Sequence, residues 1–130
     1  MITGKYGVNS GVLDVGDIIP ADSVILQRHI KNDPSTSNYA SALIGKWHLG
    51  GSSPQASHPN DMGVDYYAGN LRGSINDYES WPLTINGQTN QTTTYHTTKT
   101  TDLAIDWIGA QTEPWFLWLA YVAPHSPFHL

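Results

Sequence analysis

Two short segments of this chain are apolar at nearly every position, whereas most of the remainder mixes polar and apolar residues irregularly. The segments are residues 39–44 and 115–121. Apolar runs of this length are typical of strands that are buried on both faces, and such strands usually belong to parallel sheets. The pattern therefore predicts two fully buried, parallel strands, with the tryptophans of the second segment in the core.

Helical periodicity is found near both predicted strands. Apolar pairs recur at four-residue spacing over residues 102–109, which predicts a helix that ends at Gly109. An earlier helix is expected to open at Pro20 and to end before Pro34, because proline disfavours helical geometry in the preceding residue. The threonine-rich residues 92–101 are expected to be extended and to lead into the later helix.

The middle of the chain carries one clear turn signal. Residues 50–80 have the glycines, prolines and scattered aromatics of a long loop. After them, Asn86-Gly87 lies between two short β-prone segments, and this pair supplies the positive φ angles of a type I′ hairpin turn. The order helix, strand, insert, helix, strand predicts an α/β fold with a mixed, mainly parallel sheet. No domain boundary is visible, so residues 1–130 are expected to form a single domain or part of one.

Composition and charge exclude several function classes. The 130 residues include 6 Lys+Arg and 11 Asp+Glu, for a formal net charge of −5, and no cysteine. An acidic chain with few, scattered cations does not suit nucleic acid, so no such partner is expected. The lack of cysteine excludes disulfide scaffolds, Cys-ligated zinc and a thiol nucleophile. No stretch approaches the ~20 apolar residues of a membrane span, and no signal peptide is apparent.

The candidate chemistry lies directly after the two predicted strands. Lys46 and His48 follow the first strand, and His125 follows the second. If the strands are parallel, their carboxyl ends meet at one rim of the sheet, where α/β proteins bind ligands. Three nitrogen donors without a carboxylate suit a tetrahedral oxyanion, and a histidine can exchange a proton near neutral pH. From the residues alone, the rim is an anion site with no assigned reaction.

Four segments, in order along the chain, resemble landmarks of the sulfatase family, in the alkaline-phosphatase-like superfamily. Residues 45–50 read Gly-Lys-Trp-His-Leu-Gly, a hallmark of that family, and residues 2–6 resemble the segment after its nucleophile motif. Residues 63–69 resemble its Gly-Phe-Asp-aromatic signature. Residues 102–127 resemble its helix–strand–Ala-Pro-His-x-Pro unit. The resemblance implies part of a sulfatase catalytic domain.

The resemblance also implies a reaction and residue roles. The family hydrolyses sulfate esters with a formylglycine nucleophile, made from Cys or Ser in a Cys/Ser-x-Pro-x-Arg motif, and with Ca²⁺. By resemblance, Lys46 contacts the sulfate, and His48 is the base that expels it from the nucleophile. His125 binds the sulfate or the leaving-group oxygen and is a candidate general acid. Trp47, in the hallmark, is expected on the substrate-binding side.

The same resemblance reveals departures from the family. Residues 52–56, Ser-Ser-Pro-Gln-Ala, lack the arginine of the nucleophile motif and lie after the hallmark instead of before it. The calcium-binding aspartates and the nucleophile of the family have no counterpart in this sequence. We therefore expect an internal fragment of the catalytic domain, with no nucleophile or metal ligands, that is inactive alone.

Other interpretations remain open at the level of sequence. Within the superfamily, the chain is also compatible with a phosphoester or phosphonate hydrolase. A non-catalytic module that binds anions or sulfated glycans is the alternative from another class. The expected substrate is a sulfated carbohydrate or an aryl sulfate. Location and oligomeric state are left open, although family members are often secreted, periplasmic or lysosomal.

Two further features of the sequence bear on the site. His125 and His129 have a spacing seen in some metal sites, but Pro127 between them opposes the helix that would align them, so zinc is not expected. Tyr78 and Trp81 are candidate substrate-side aromatics.

Overall fold

The computed structural model describes residues 2–128, and within them the chain forms four helices and five strands. The helices are α1 (Gly7–Ser10), α2 (Leu26–Asn32), α3 (His58–Asp61) and α4 (His96–Gly109). The strands are β1 (Ala40–Gly45), β2 (Tyr66–Gly69), β3 (Trp81–Ile85), β4 (Gln88–Thr92) and β5 (Trp115–Ala120).

The strands form one mixed sheet in the order β4-β3-β2-β1-β5. β1 pairs in parallel with β2 and with β5, whereas β2–β3 and β3–β4 are antiparallel. The predicted α/β fold with a mixed sheet is confirmed, although parallel and antiparallel pairings are equally frequent instead of mainly parallel. The parallel part of the sheet contains both strands that precede the candidate site.

Burial differs between the two strands that the sequence predicts to be alike. β1 is buried at five of its six positions, as predicted. β5 is not fully buried, because it is the outermost strand and pairs only with β1 in the described part of the chain. Trp115 is 44% exposed and Trp118 is partly buried, so the prediction that both tryptophans of this segment are core residues is wrong for Trp115.

The helix boundaries differ from the expected ones for physical reasons. α2 begins at Leu26 and not at Pro20, because residues 20–23 form a turn and Ile25 is extended and buried in the core. α4 begins at His96, inside the threonine-rich run that was expected to be extended. Its buried positions are His96, Thr100 and Ala104, at spacings of four residues. A buried helix face made largely of polar residues gives no apolar periodicity to detect.

The segment expected to be a loop contains regular structure. Residues 50–80 include α3 and β2, and β2 forms the link between the parallel and antiparallel parts of the sheet. The hairpin prediction is confirmed, since Asn86 and Gly87 connect β3 and β4 with φ angles of 44° and 83°. In residues 2–128, no helix combines the length and hydrophobicity that a transmembrane span requires.

Candidate active site

The carboxyl ends of β1 and β5 meet, as the sequence predicts. Gly45 lies opposite Ala120 in the parallel register, and the next N–H, that of Lys46, donates to the Ala120 carbonyl at 2.8 Å. Gly45 has a φ of 110°, and a Cβ there would fall on the Ala120 carbonyl oxygen. At the end of β2, a Cβ on Gly69 would fall on the Gly45 carbonyl. The glycines thus allow three strand ends to approach closely.

The segment after β1 is then held by the segment after β2. The N–H of Trp47 donates to the Asn70 carbonyl, and that of His48 to the Leu71 carbonyl, both at 3.0 Å. Each of these bonds gives a backbone N–H a defined partner. Together they fix the backbone that carries the candidate functional side chains.

Trp47 lies in the core and not on the substrate side. Its side chain is 4% exposed, and its indole N–H donates to Nδ1 of His58 at 3.0 Å. Because indole is a donor only, His58 Nδ1 must accept, and the His58 proton lies on Nε2, facing the Ile19 carbonyl at 3.2 Å. The sequence-based expectation that Trp47 contacts substrate is therefore not supported by its burial, and its role is to anchor the segment.

His48 has an unusual backbone conformation and a confined imidazole. Its φ is +57°, in the left-handed region that costs a non-glycine residue about 1 kcal/mol or more. Its ring lies against the backbone of Gly73, where an added Cβ would overlap the ring atoms. The ring also borders an open cavity of about 380 Å³ formed with residues 12–17.

Burial lowers the pKa of His48 below its usual value, and the nearby Lys46 and His125 lower it further. A lowered pKa keeps the imidazole neutral at pH 7, so one ring nitrogen has a free lone pair. Both neighbours act on His48 because all three residues follow strands whose carboxyl ends meet.

His125 is exposed, and one side chain from the segment before β3 holds its backbone. The hydroxyl of Tyr78 donates to the His125 carbonyl at 2.8 Å, and the His125 N–H donates to the Val122 carbonyl at 2.9 Å. Nδ1 of His125 lies 2.8 Å from the Ser126 carbonyl, which can only accept, so Nδ1 carries a proton. Nε2 is left to face the rim or the solvent.

The rim therefore presents Lys46, His48 and His125, while the carboxylates of Asp14 and Asp17 belong to the loop that lines the cavity beside His48. No cluster of three or more His, Cys, Asp or Glu able to hold a metal is found in residues 2–128. Ca²⁺ prefers six to eight oxygen ligands, and this donor set is made of nitrogen. The described residues fit an oxyanion and do not fit a calcium site.

Sequence reasoning missed a support beneath this rim. Asn70 accepts from Nε2 of His96 at 3.0 Å and donates to the Arg72 carbonyl at 2.7 Å. His96 is fully buried and packs against Trp81 in a tilted arrangement, with ring centroids 4.3 Å apart. Burial lowers the pKa of His96 to about 4, which keeps it neutral. A histidine within a threonine run carries no sequence signal for this role.

Two further expectations about aromatics are corrected. Tyr78 and Trp81, expected on the substrate side, are 3% and 0% exposed and belong to one hydrophobic cluster. Trp81 donates from its indole to the Thr94 carbonyl, so its polar group is already satisfied. His129, the second histidine of the discounted zinc spacing, lies outside the described residues.

The family of the chain follows from a comparison with protein-family models. The model described as Sulfatase matches residues 1–130, the whole of the sequence. This chain belongs to the sulfatase family. The resemblance that was drawn from four motifs is thereby confirmed.

A curated relative supports the assignment. Arylsulfatase G of Mus musculus is 35% identical over 75 residues, which cover 53% of this sulfatase-family chain and 13% of the relative. The chain therefore spans only a small part of the curated relative it matches.

Solved structures share the fold at low identity. Ps i-CgsB has a TM-score of 0.78 and 29% identity, over 97% of this chain and 33% of its own. Ps i-CgsB has also been solved in complex with k-i-k-neocarrahexaose. BT4656, solved in complex with its substrate D-glucosamine-2-N,6-O-disulfate, has a TM-score of 0.72 and 25% identity, over 95% of this chain and 23% of its own.

Proposed function

We propose that this chain provides the sulfate-binding rim of a sulfatase catalytic domain that hydrolyses sulfate esters. One observation carries the proposal: β1 and β5 end together in parallel register, directly before the segments that carry Lys46, His48 and His125. Sulfate is a tetrahedral oxyanion, and this arrangement offers hydrogen-bond donors on several sides of such an ion. Membership of the sulfatase family supplies the reaction class.

The three side chains differ in what they can do. Lys46 contributes a compact positive charge, which favours a sulfate oxygen over a neutral group. His48, neutral because of its lowered pKa, can accept a proton and is proposed as the base. His125 holds a proton on Nδ1 and can offer Nε2 to a leaving-group oxygen, and when doubly protonated it can act as the general acid.

Formylglycine and Ca²⁺ belong to the proposal only for a complete catalytic domain. The 130 residues contain no cysteine, and the serine-proline segment at 52–56 lacks the arginine of the family motif. The donor set of the rim does not suit calcium. We propose that residues 1–130 alone bind the anion without turning over an ester.

The proposed substrate is a sulfated carbohydrate, with an aryl sulfate as the simpler alternative. The support comes from two structural relatives, whose structures hold a neocarrahexaose and a disulfated glucosamine. An arylsulfatase among the curated relatives supports the second possibility.

Two assays on the 130-residue chain test this proposal. In calorimetry with a sulfated oligosaccharide, Lys46→Ala should weaken binding about tenfold. Lys31→Ala, which removes the same charge near the other end of β1, should leave binding unchanged. Equal binding by the Lys46→Ala chain would refute the proposed sulfate-binding rim.

With a chromogenic aryl sulfate, turnover that disappears in a Lys46→Ala/His48→Ala chain would refute the proposed inactivity. Preference for phosphate over sulfate would favour the phosphoester hydrolase.

A further inference from the structure

A second cavity, of about 520 Å³, opens next to the rim. Asn70, Leu71 and Arg72 contribute to its lining. The Leu71 carbonyl also accepts the His48 N–H, and the His48 ring lies against Gly73. The cavity and His48 therefore share the segment after β2 as a common wall. We call this space the Arg72 cavity.

The charge of the Arg72 cavity is one-sided. Among the described residues that line it, Arg72 is the one cation, and none is a carboxylate. The Arg72 side chain is exposed, and it makes no ion pair or hydrogen bond with another residue in the range 2–128. A guanidinium that no protein group neutralises is suited to a planar or multidentate anionic partner such as a sulfate or a carboxylate.

The neutral part of the lining suits a sugar. Ser53, Ser74 and Asn76 line the cavity with side chains that form no hydrogen bond to described residues. Leu71 and Ile75 add apolar surface beside them. A space of this size, with apolar walls and a few polar groups, lies within the range of small-molecule sites.

We infer that the Arg72 cavity binds a second anionic group, sulfate or carboxylate, on a saccharide whose scissile sulfate occupies the rim. The inference rests on the proposed function, because it assigns the cavity to another part of the same substrate. Arg72 is then a specificity-determining residue that favours saccharides with two anionic groups over singly sulfated ones. Asn70 couples the two places, since its side chain holds the Arg72 carbonyl while its own carbonyl holds Trp47.

Calorimetry with three disaccharides tests the inference on the 130-residue chain. The first carries one sulfate ester, the second is the same disaccharide with a second sulfate, and the third carries one sulfate and a uronate carboxylate. The second anionic group should lower the dissociation constant about fivefold, as expected for one exposed ion pair. In Arg72→Gln, this advantage should disappear while binding of the first disaccharide stays unchanged. Lys31→Gln, a matched loss of charge near the other end of β1, should keep the advantage.

The outcomes separate the two proposals. If a second anionic group gives no advantage, or if Arg72→Gln retains it, the cavity assignment is overturned while a Lys46-dependent affinity still supports the rim. If no disaccharide shows an affinity that depends on Lys46, the proposed function itself is overturned. The second and third ligands show whether the cavity takes a sulfate, a carboxylate or both. Circular dichroism of each variant confirms that the exposed substitution has left the fold intact.

Discussion

The two halves of the rim are built differently, although both follow a six-residue apolar strand. Lys46 and His48 follow an interior strand, and their backbone is bonded on both sides, to β5 and to the segment after β2. His125 follows an outer strand that is only partly buried, and the hydroxyl of Tyr78 holds its carbonyl. Backbone hydrogen bonds to two neighbouring segments thus position the first half, whereas the second is held by one side-chain hydrogen bond and by the bond from the His125 N–H to the buried Val122. The predictions below separate these two kinds of support.

The largest effect on stability is expected in the first half, where the end of β2 lies against the end of β1. Gly69→Ala places a Cβ on the Gly45 carbonyl, a clash with backbone that no side-chain rotation relieves. We expect a loss of about 3 kcal/mol or more in the free energy of unfolding, measured by urea denaturation. The control is Gly109→Ala at the end of α4, where nothing lies within 4 Å of the new Cβ and helix propensity favours alanine. Equal stability of the two variants would show that the ends of β1 and β2 are not tightly packed.

A pH-dependent loss of stability is expected from the support beneath the first half. The folded pKa of His96, about 4, lies below the unfolded value of ~6.5, so between these values the unfolded chain binds a proton that the folded chain does not. The contribution of the neutral His96 to the free energy of unfolding is complete above about pH 6.5 and is lost as the pH falls towards 4. The expected loss in the free energy of unfolding is about 3 kcal/mol, since each unit of pKa difference corresponds to ~1.4 kcal/mol.

Urea denaturation of the native chain and of His96→Gln between pH 4 and 7 checks this. The new amide in this variant can still donate to Asn70. The free energy of unfolding of the variant should change much less with pH than that of the native chain. The change that remains has the same sign and comes from the lowered pKa of His48. His29→Gln, at an exposed site in α2, is the control and should leave the pH dependence of the free energy of unfolding unchanged. An unchanged pH dependence in His96→Gln would contradict the assignment.

A smaller effect is expected in the second half. Tyr78→Phe removes the hydroxyl that donates to the His125 carbonyl but keeps the ring in its cluster. We expect a cost of about 1 kcal/mol in unfolding and a severalfold weaker affinity for sulfate, with the Trp47 indole signal in nuclear magnetic resonance unchanged. Tyr39→Phe, near the start of β1, serves as the control. A shift of the Trp47 signal as large as that of His125 would mean that the halves are not independent.

The features that the sequence predicted are those with a strong local signal. β1 is apolar at each position between Ala42 and Ile44, and Asn86-Gly87 is a turn pair with a specific geometry, so both were predictable. The meeting of the strand ends that precede Lys46 and His125 followed from assuming parallel strands. The four-residue β2 was missed because so short an element carries little pattern.

Other parts could not be predicted because tertiary packing decides them. The six residues of β5 are as apolar as a core strand, yet their exposure depends on which strand lies at the edge of the sheet. The burial of Trp47 depends on its bond to His58, eleven residues away in the sequence. The place of Arg72 beside His48 depends on the path of the chain after β2. None of these relations is encoded in local periodicity.

The most direct test of the account is whether one sulfate engages both histidines of the rim. Titrating the 130-residue chain with inorganic sulfate, while following the imidazole resonances against pH, should raise the pKa of His48, because a bound dianion favours the charged imidazole. The resonances of His125 should shift with the same dissociation constant, and Lys46→Met should weaken both effects together. A response in only one histidine, or responses that do not depend on Lys46, would contradict a shared anion site.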